Sequence, residues 1–290
     1  MRARPGSLVW LAQHDLLLRW RRFRGHFSGR SSAGVLGVCL LGAVFMHGIS
    51  GPSADLFTPL QGPAQTRVLA TAILFTLLWQ ISQAISHFAR LLYSRSDLDL
   101  LLSSPISPRA VVGAHAFAAA LEIILVVGVF VFPMANVIAY KMGPHWLAIY
   151  PACIASALLA SACGLAITAG LFRVFGPYRT RMAAQITSTI IASAMILGGQ
   201  LAYLATGPTE ATRALFQRLP PAPAFTEWLI AAPVRGVAGD VFSLCLWLSF
   251  GFLAFAVTVL WLGPGFLEGA ILVKGAGDRQ MAARARSEKP

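Results

Sequence analysis

The stretch AVVGAHAFAAALEIILVVGVFVF, residues 110–132, carries one carboxylate and one histidine and is otherwise built from small and apolar residues. A bilayer's hydrocarbon core is about 30 Å thick and takes about 20 helical residues to cross. A lone apolar segment of this length satisfies its backbone there by coiling into a helix. Working outward in both directions, five more runs meet the same test: 33–50, 68–88, 146–172, 182–206 and 241–266. The 290 residues are 57% hydrophobic and 12% charged, with a mean hydropathy of +0.69, beyond the balance of a soluble domain. The sequence predicts an all-α membrane protein: six transmembrane helices in one domain over residues 1–272, then a basic tail, 273–290, expected to be disordered and cytoplasmic.

Charge sets the expected orientation. Counted through alternating connectors, residues 1–32, 89–109, 173–181 and the tail after 266 share one side and hold 18 of the 23 basic residues. The other side holds Arg67, Lys141, Arg213, Arg218 and Arg235. The positive-inside rule then places both termini in the cytoplasm. The same distribution accounts for the net charge of +12 without a nucleic-acid partner. Twenty arginines against three lysines suit a bacterial chain in a plasma (inner) membrane. No small-residue cleavage site follows the N-terminal arginines, so no removable signal peptide is expected. Residues 8–24, LVWLAQHDLLLRWRRFR, mix Leu, Trp and Phe with a basic half and are too charged to span. They suit an amphipathic helix in the cytoplasmic interface, in contact with membrane lipids, or a plain topology anchor.

Inside the fourth run Ala152, Ser156, Ala160, Gly164 and Thr168 recur every four residues, a stripe on which another helix can approach closely. The stripe fits either the interior of a bundle or a contact between subunits. Cys39, Cys153, Cys163 and Cys245 all lie inside runs with no CxxC pair, and read as small buried hydrophobes. Gln80, Gln83, Asn136, Gln185 and Gln200 supply polar points suited to interhelical hydrogen bonds. The long connector 207–240 contains FTEWLIAA, apolar but too short to span, which should lie in the interface or re-enter against protein.

The connector between the second and third runs reads RSDLDLLLSSPISPR, residues 95–109. Ser96 is a natural N-cap, and Asp97 and Asp99 fall in the first turn, where carboxylates favour the positive end of the helix dipole. Leu98, Leu101 and Leu102 form one apolar stripe at i, i+3 and i+4. Pro105 stops this helix near Ser104. Ser107 can then cap the next helix, with Pro108 at its first position. The expected result is a short helix of about two turns fixed at a stiff corner, able to pass force from a cytoplasmic partner or to lie passively on lipid.

RSDLDLLLSSPISPRAVV resembles the cytoplasmic loop of ABC-2 type transporter permeases, the membrane subunits of bacterial ATP-binding cassette exporters. The resemblance implies that the loop helix is a coupling helix contacting a cytoplasmic ATPase. Asp97, Leu98, Asp99, Leu101 and Leu102 would be its docking surface, with Arg95 and Arg109 flanking it. It also implies a second permease half, identical or different, and outward transport. Some relatives with such a loop are about twice as long as this chain, which leaves the self-dimer open.

The chain has no GxxxxGK[ST] phosphate loop, no HExxH and no Gly-x-Ser-x-Gly elbow. No enzymatic activity, cofactor or metal site is expected in this chain. If ATP drives it, ATP and Mg belong to a separate subunit. Glu122 is the one carboxylate near the centre of a run, about 21 Å along a helix starting at Pro108, and His115 lies seven residues earlier on nearly the same face. Intramembrane charges usually face protein or a water-filled cavity. The pair therefore suits a proton or cation path, or a protonated Glu122 bonded to a neighbouring helix. Two other function classes stay open beside the exporter: an ion-coupled carrier using Glu122 and His115, and a non-transport membrane scaffold.

Overall fold

A computed structural model describes residues 32–93, 107–206 and 224–287, with the isolated positions 17, 21 and 25. Every element among them is helical: α1 (Ser32–Phe57), α2 (Gly62–Tyr93), α3 (Pro108–Met142), a 3-10 turn (Pro144–Ala148), α4 (Ile149–Thr206), α5 (Ala224–Val237) and α6 (Val241–Ser287). Five segments are long and apolar enough to cross a membrane: Gly37–Asp55, Gly62–Leu91, Arg109–Met142, Pro144–Gly176 and Val241–Gly265. The chain is a multi-pass helical membrane protein by this measure. The run 182–206 is helical along its whole backbone, and its side chains beyond 193 lie outside the described residues. So do the expected interfacial helix at 8–24, apart from isolated positions, and the expected coupling helix at 94–106.

The fourth span is the axis on which α2, α3 and α6 pack, while α1 packs on α3. Ala152, Ser156, Ala160 and Thr168 are all buried, and Gly164 lies with them, so the small-residue stripe faces the inside of the bundle. A Cβ at Gly164 would come within 2.4 Å of the Ala84 Cβ and 2.8 Å of the Ala84 carbonyl carbon. Glycine is what lets α2 and α4 touch backbone to backbone. On the other flank a Cβ at Gly251 of α6 would stand 2.5 Å from the Ala155 carbonyl oxygen. Trp247 of α6 donates its indole N–H to the Ala152 carbonyl (3.3 Å) and the Ser156 hydroxyl (3.2 Å), which ties α6 to the same stripe.

Past Phe175 the chain reverses. Gly176 takes φ 70°, a conformation open to glycine and strained for other residues, and Pro177 follows it. The Thr180 hydroxyl donates to the Gly176 carbonyl at 2.6 Å and closes the corner. Ala184 and Ile191 then pack beside Ile85, Ala89, Ile167 and Leu171, so the two legs of α4 form a hairpin against α2. The Ser82 hydroxyl donates to the Ser188 carbonyl at 2.8 Å across that contact.

The opposite end is closed by aromatic and apolar residues. Trp146, 2% exposed, meets the edge of Phe57 with ring centroids 5.2 Å apart. The apolar segment of the long connector forms α5, whose Ile230, Val234 and Val237 are buried in the same cluster as Trp146 and Trp247. It packs against protein, as expected of a segment too short to span. Asp240 begins α6 as its N-cap, accepting from the Ser243 hydroxyl (2.6 Å) and the Phe242 amide (3.0 Å). The Ser243 hydrogen bonds, foremost, hold its carboxyl below the usual aspartate range.

Two expectations need correction. Cys39 and Cys245 face outward; Cys153 is buried and Cys163 partly so. An outward thiol inside a span meets hydrocarbon rather than water, so apolar composition does not require an inward position. Residues 274–287 continue α6 as helix rather than forming an irregular tail. Their run QMAARAR is rich in strong helix formers, and the preceding turns supply the nucleus that an isolated tail would lack.

Candidate functional site

Ser107 adopts an extended conformation before α3, and its side chain accepts from the Ala110 amide at 3.3 Å, with Pro108 in the first turn. This is the helix cap that the sequence implies. Residues 94–106, which connect it in sequence to Tyr93, the last residue of α2, lie outside the described residues. Arg95, Asp97, Leu98, Asp99, Leu101 and Leu102 lie outside the described residues. Arg109 is described and exposed, in the first turn of α3.

An ionic cluster joins the two helices that bracket this segment. His87 Nδ1 lies 3.0 Å from Glu122 Oε2, and Arg90 Nη2 lies 3.7 Å from Oε1 of the same carboxylate. The first is a hydrogen bond and the second a looser ion pair. The His87 side chain is 10% exposed, Glu122 40% and Arg90 64%, so the cluster is buried on the histidine side and open on the arginine side. Helix rulers fix its depth. Glu122 is about 21 Å from the start of α3, whereas His87 is about 9 Å from the end of α2. The cluster therefore belongs to the half of the bundle nearest Tyr93 and Ser107, where a long arginine can reach toward water while its stem stays in hydrocarbon.

His115 is partly buried on α3. The sequence places His115 and Glu122 along one helix face, but gives no sign that His87 and Arg90 of α2 meet the carboxylate from across the helix pair. The one available signal is positional: His87 and Arg90 are three residues apart on one face at the end of an apolar run.

Polar side chains elsewhere link helices, as the scattered amides suggest. The buried Gln80 Nε2 donates to Cys153 Sγ at 3.5 Å. The Tyr150 hydroxyl donates to Asn136 Oδ1 at 2.7 Å, and Asn136 Nδ2 lies 3.2 Å from His47 Nε2, joining α4, α3 and α1. Lys141 and Asp55 form an ion pair near the Trp146 end.

In that same half of the bundle lies an apolar cavity of about 530 Å³ between α1, α2, α3, α4 and α5. Trp79 and Phe130, with centroids 5.6 Å apart, form one side of it.

The chain matches no protein-family model, no curated protein and no solved structure.

Proposed function

We propose that this chain is the permease subunit of an ATP-binding cassette exporter of the ABC-2 type. It would have six spans, both termini in the cytoplasm of a bacterial cell, and would work beside a second permease half and a separate ATPase that holds ATP and Mg. The observation that carries this reading is the link of Glu122 to His87 and Arg90, which ties α3 to α2 about 21 Å from the capped start of α3 at Ser107. A force-receiving segment has to be joined stiffly to the helices it moves. On one side of residues 94–106 stands α2, tied to α3 by a hydrogen bond and a looser ion pair, and on the other the capped, proline-started α3. The resemblance of RSDLDLLLSSPISPRAVV to a coupling loop supplies the partner's identity.

The test is purification of the full chain from its native membrane in a gentle detergent. The expected result is a companion polypeptide carrying a GxxxxGK[ST] loop. A folded, monodisperse chain that comes away without such a companion from membranes where both would be expressed overturns the assignment.

The His87–Glu122 hydrogen bond also favours a second reading, an ion-coupled carrier, because both groups can exchange a proton. Glu122→Gln separates the two. In the exporter the amide keeps the shape and part of the hydrogen bonding but loses the ion pairing. A charge-assisted hydrogen bond exceeds a neutral one by about 1 kcal/mol, so ATP-driven transport should fall about fivefold with the ATPase still bound. In the carrier, transport should stop and should follow the proton gradient rather than ATP.

A further inference from the structure

We infer that the cavity near the Trp146 end is a binding site for the acyl chain of a membrane phospholipid, entered sideways from the bilayer between α2 and α3. Its inner wall is core: Leu69 of α2 and Ala152 of α4 are buried. Its rim is outer surface: Phe75 is 42% exposed and Phe130 52%. In a chain whose spans stand in a bilayer, that rim faces hydrocarbon, so the space communicates with lipid.

Water is a poor occupant. Ordered water in a protein interior takes several hydrogen bonds from polar groups that lack other partners, and apolar cavities stay dry. Of the three lining hydroxyls, Ser53 and Ser156 already donate to carbonyls of their own helices, Ile49 and Ala152, which leaves Thr76 as a single polar point, fewer than an ordered water takes. The apolar wall around about 530 Å³ offers dispersion contacts to a chain that fills it. The volume lies in the range of sites that hold a small organic ligand. A flexible apolar chain from the adjoining leaflet fills it at no desolvation cost, since it moves from one hydrocarbon environment to another. Two cations stand near the site in sequence: Arg67 precedes the lining residue Val68, and Lys141, which also pairs with Asp55, follows Ile138 by three residues on α3. Both lie toward the ends of their helices, where they suit a phosphate headgroup whose tail occupies the cavity. The inference needs the spans to be in a bilayer and is independent of any ATPase.

The experiment reconstitutes the full chain in vesicles of phosphatidylethanolamine and phosphatidylglycerol containing a phospholipid with a photoactivatable diazirine on its acyl chain. Labelled positions are mapped by peptide mass. Labelling at α2 and α3 cavity residues should exceed labelling of Phe252 and Leu253, which face outward on α6, at least fivefold. Ala72→Phe and Thr76→Phe, which fill the cavity, should remove that excess and leave α6 labelling unchanged. Equal labelling at both places overturns the inference, and so does crosslinking of the cavity residues to a second polypeptide instead of lipid. Should the filled variants not fold, quenching by phospholipids with brominated acyl chains decides. The quenched fraction assigned to Trp79 by difference from Trp79→Phe should exceed the average of the other tryptophans; an equal or smaller fraction overturns the inference. Because neither readout uses ATP, a negative result here is distinct from failure to find an ATPase.

Discussion

Gly164→Leu should deprive the protein of its folded helix bundle, lowering the yield of monodisperse protein in detergent at least tenfold. The reason is the absence of any soft neighbour. The first atoms that a Cβ would meet are the Ala84 Cβ at 2.4 Å, the Ala84 carbonyl carbon at 2.8 Å and the Ile85 amide nitrogen at 3.0 Å. Two of these are backbone and the third is fixed rigidly to it, so no rotamer change makes room. The α2 and α4 helices must move apart, and the Phe88–Leu165 packing and the Ser82–Ser188 hydrogen bond across the hairpin would be strained with them. Overpacking of an ordinary core costs about 1–3 kcal/mol. A branched side chain driven into backbone belongs at or above the top of that range, and 1.4 kcal/mol is already a factor of ten in population. Gly164→Ala should show a smaller loss of the same kind. Gly170 lies on the same helix with open space where its Cβ would be, so Gly170→Leu is the internal control and should leave yield and melting temperature unchanged. Equal yields for Gly164→Leu and Gly170→Leu would contradict the close crossing.

That crossing shows how far the sequence could be read. The four-residue spacing of Ala152, Ser156, Ala160, Gly164 and Thr168 identifies a packing face, because small side chains on one stripe have few other uses in a span. It does not say which helix comes closest at which residue, since the crossing angle and axial offset of α2 and α4 are set by the whole bundle. Glu122 is subject to the same limit. Its place on α3 and its relation to His115 follow from helix periodicity alone. Its bond to His87, 35 residues away, depends on how two helices are rotated and offset, and no local pattern encodes that. Features governed by nearby residues were legible: the Ser107 cap with Pro108, and the apolar α5 segment too short to span. The last stretch of α6 went the other way. Gly275, Gly277 and the charges around them suggest an irregular tail, but the long helix already formed ahead of them removes the cost of nucleation, and the alanines and arginines that follow continue it.

Replacing Leu98, Leu101 and Leu102 together with Ser should release the proposed ATPase from the membrane, weakening its co-purification at least a hundredfold while the spans stay inserted. These residues lie outside the described ones, and the expectation rests on their spacing and on what holds the segment at its ends. Positions i, i+3 and i+4 share one helix face, and burying a leucine side chain contributes about 1.5–3 kcal/mol. Even if docking buries these leucines only in part, the loss of three exceeds the roughly 2.7 kcal/mol that a hundredfold change requires. Insertion should be unaffected because the apolar runs on either side, Gly62–Leu91 and Arg109–Met142, are long enough to cross without help from the connector. Glu122→Gln should behave differently, loosening the joint between α2 and α3 and lowering transport while the docking face stays intact. A triple variant that keeps its ATPase removes the leucine stripe from the docking surface. Loss of the ATPase in Glu122→Gln would mean that the ionic clamp shapes the docking face itself rather than carrying force away from it.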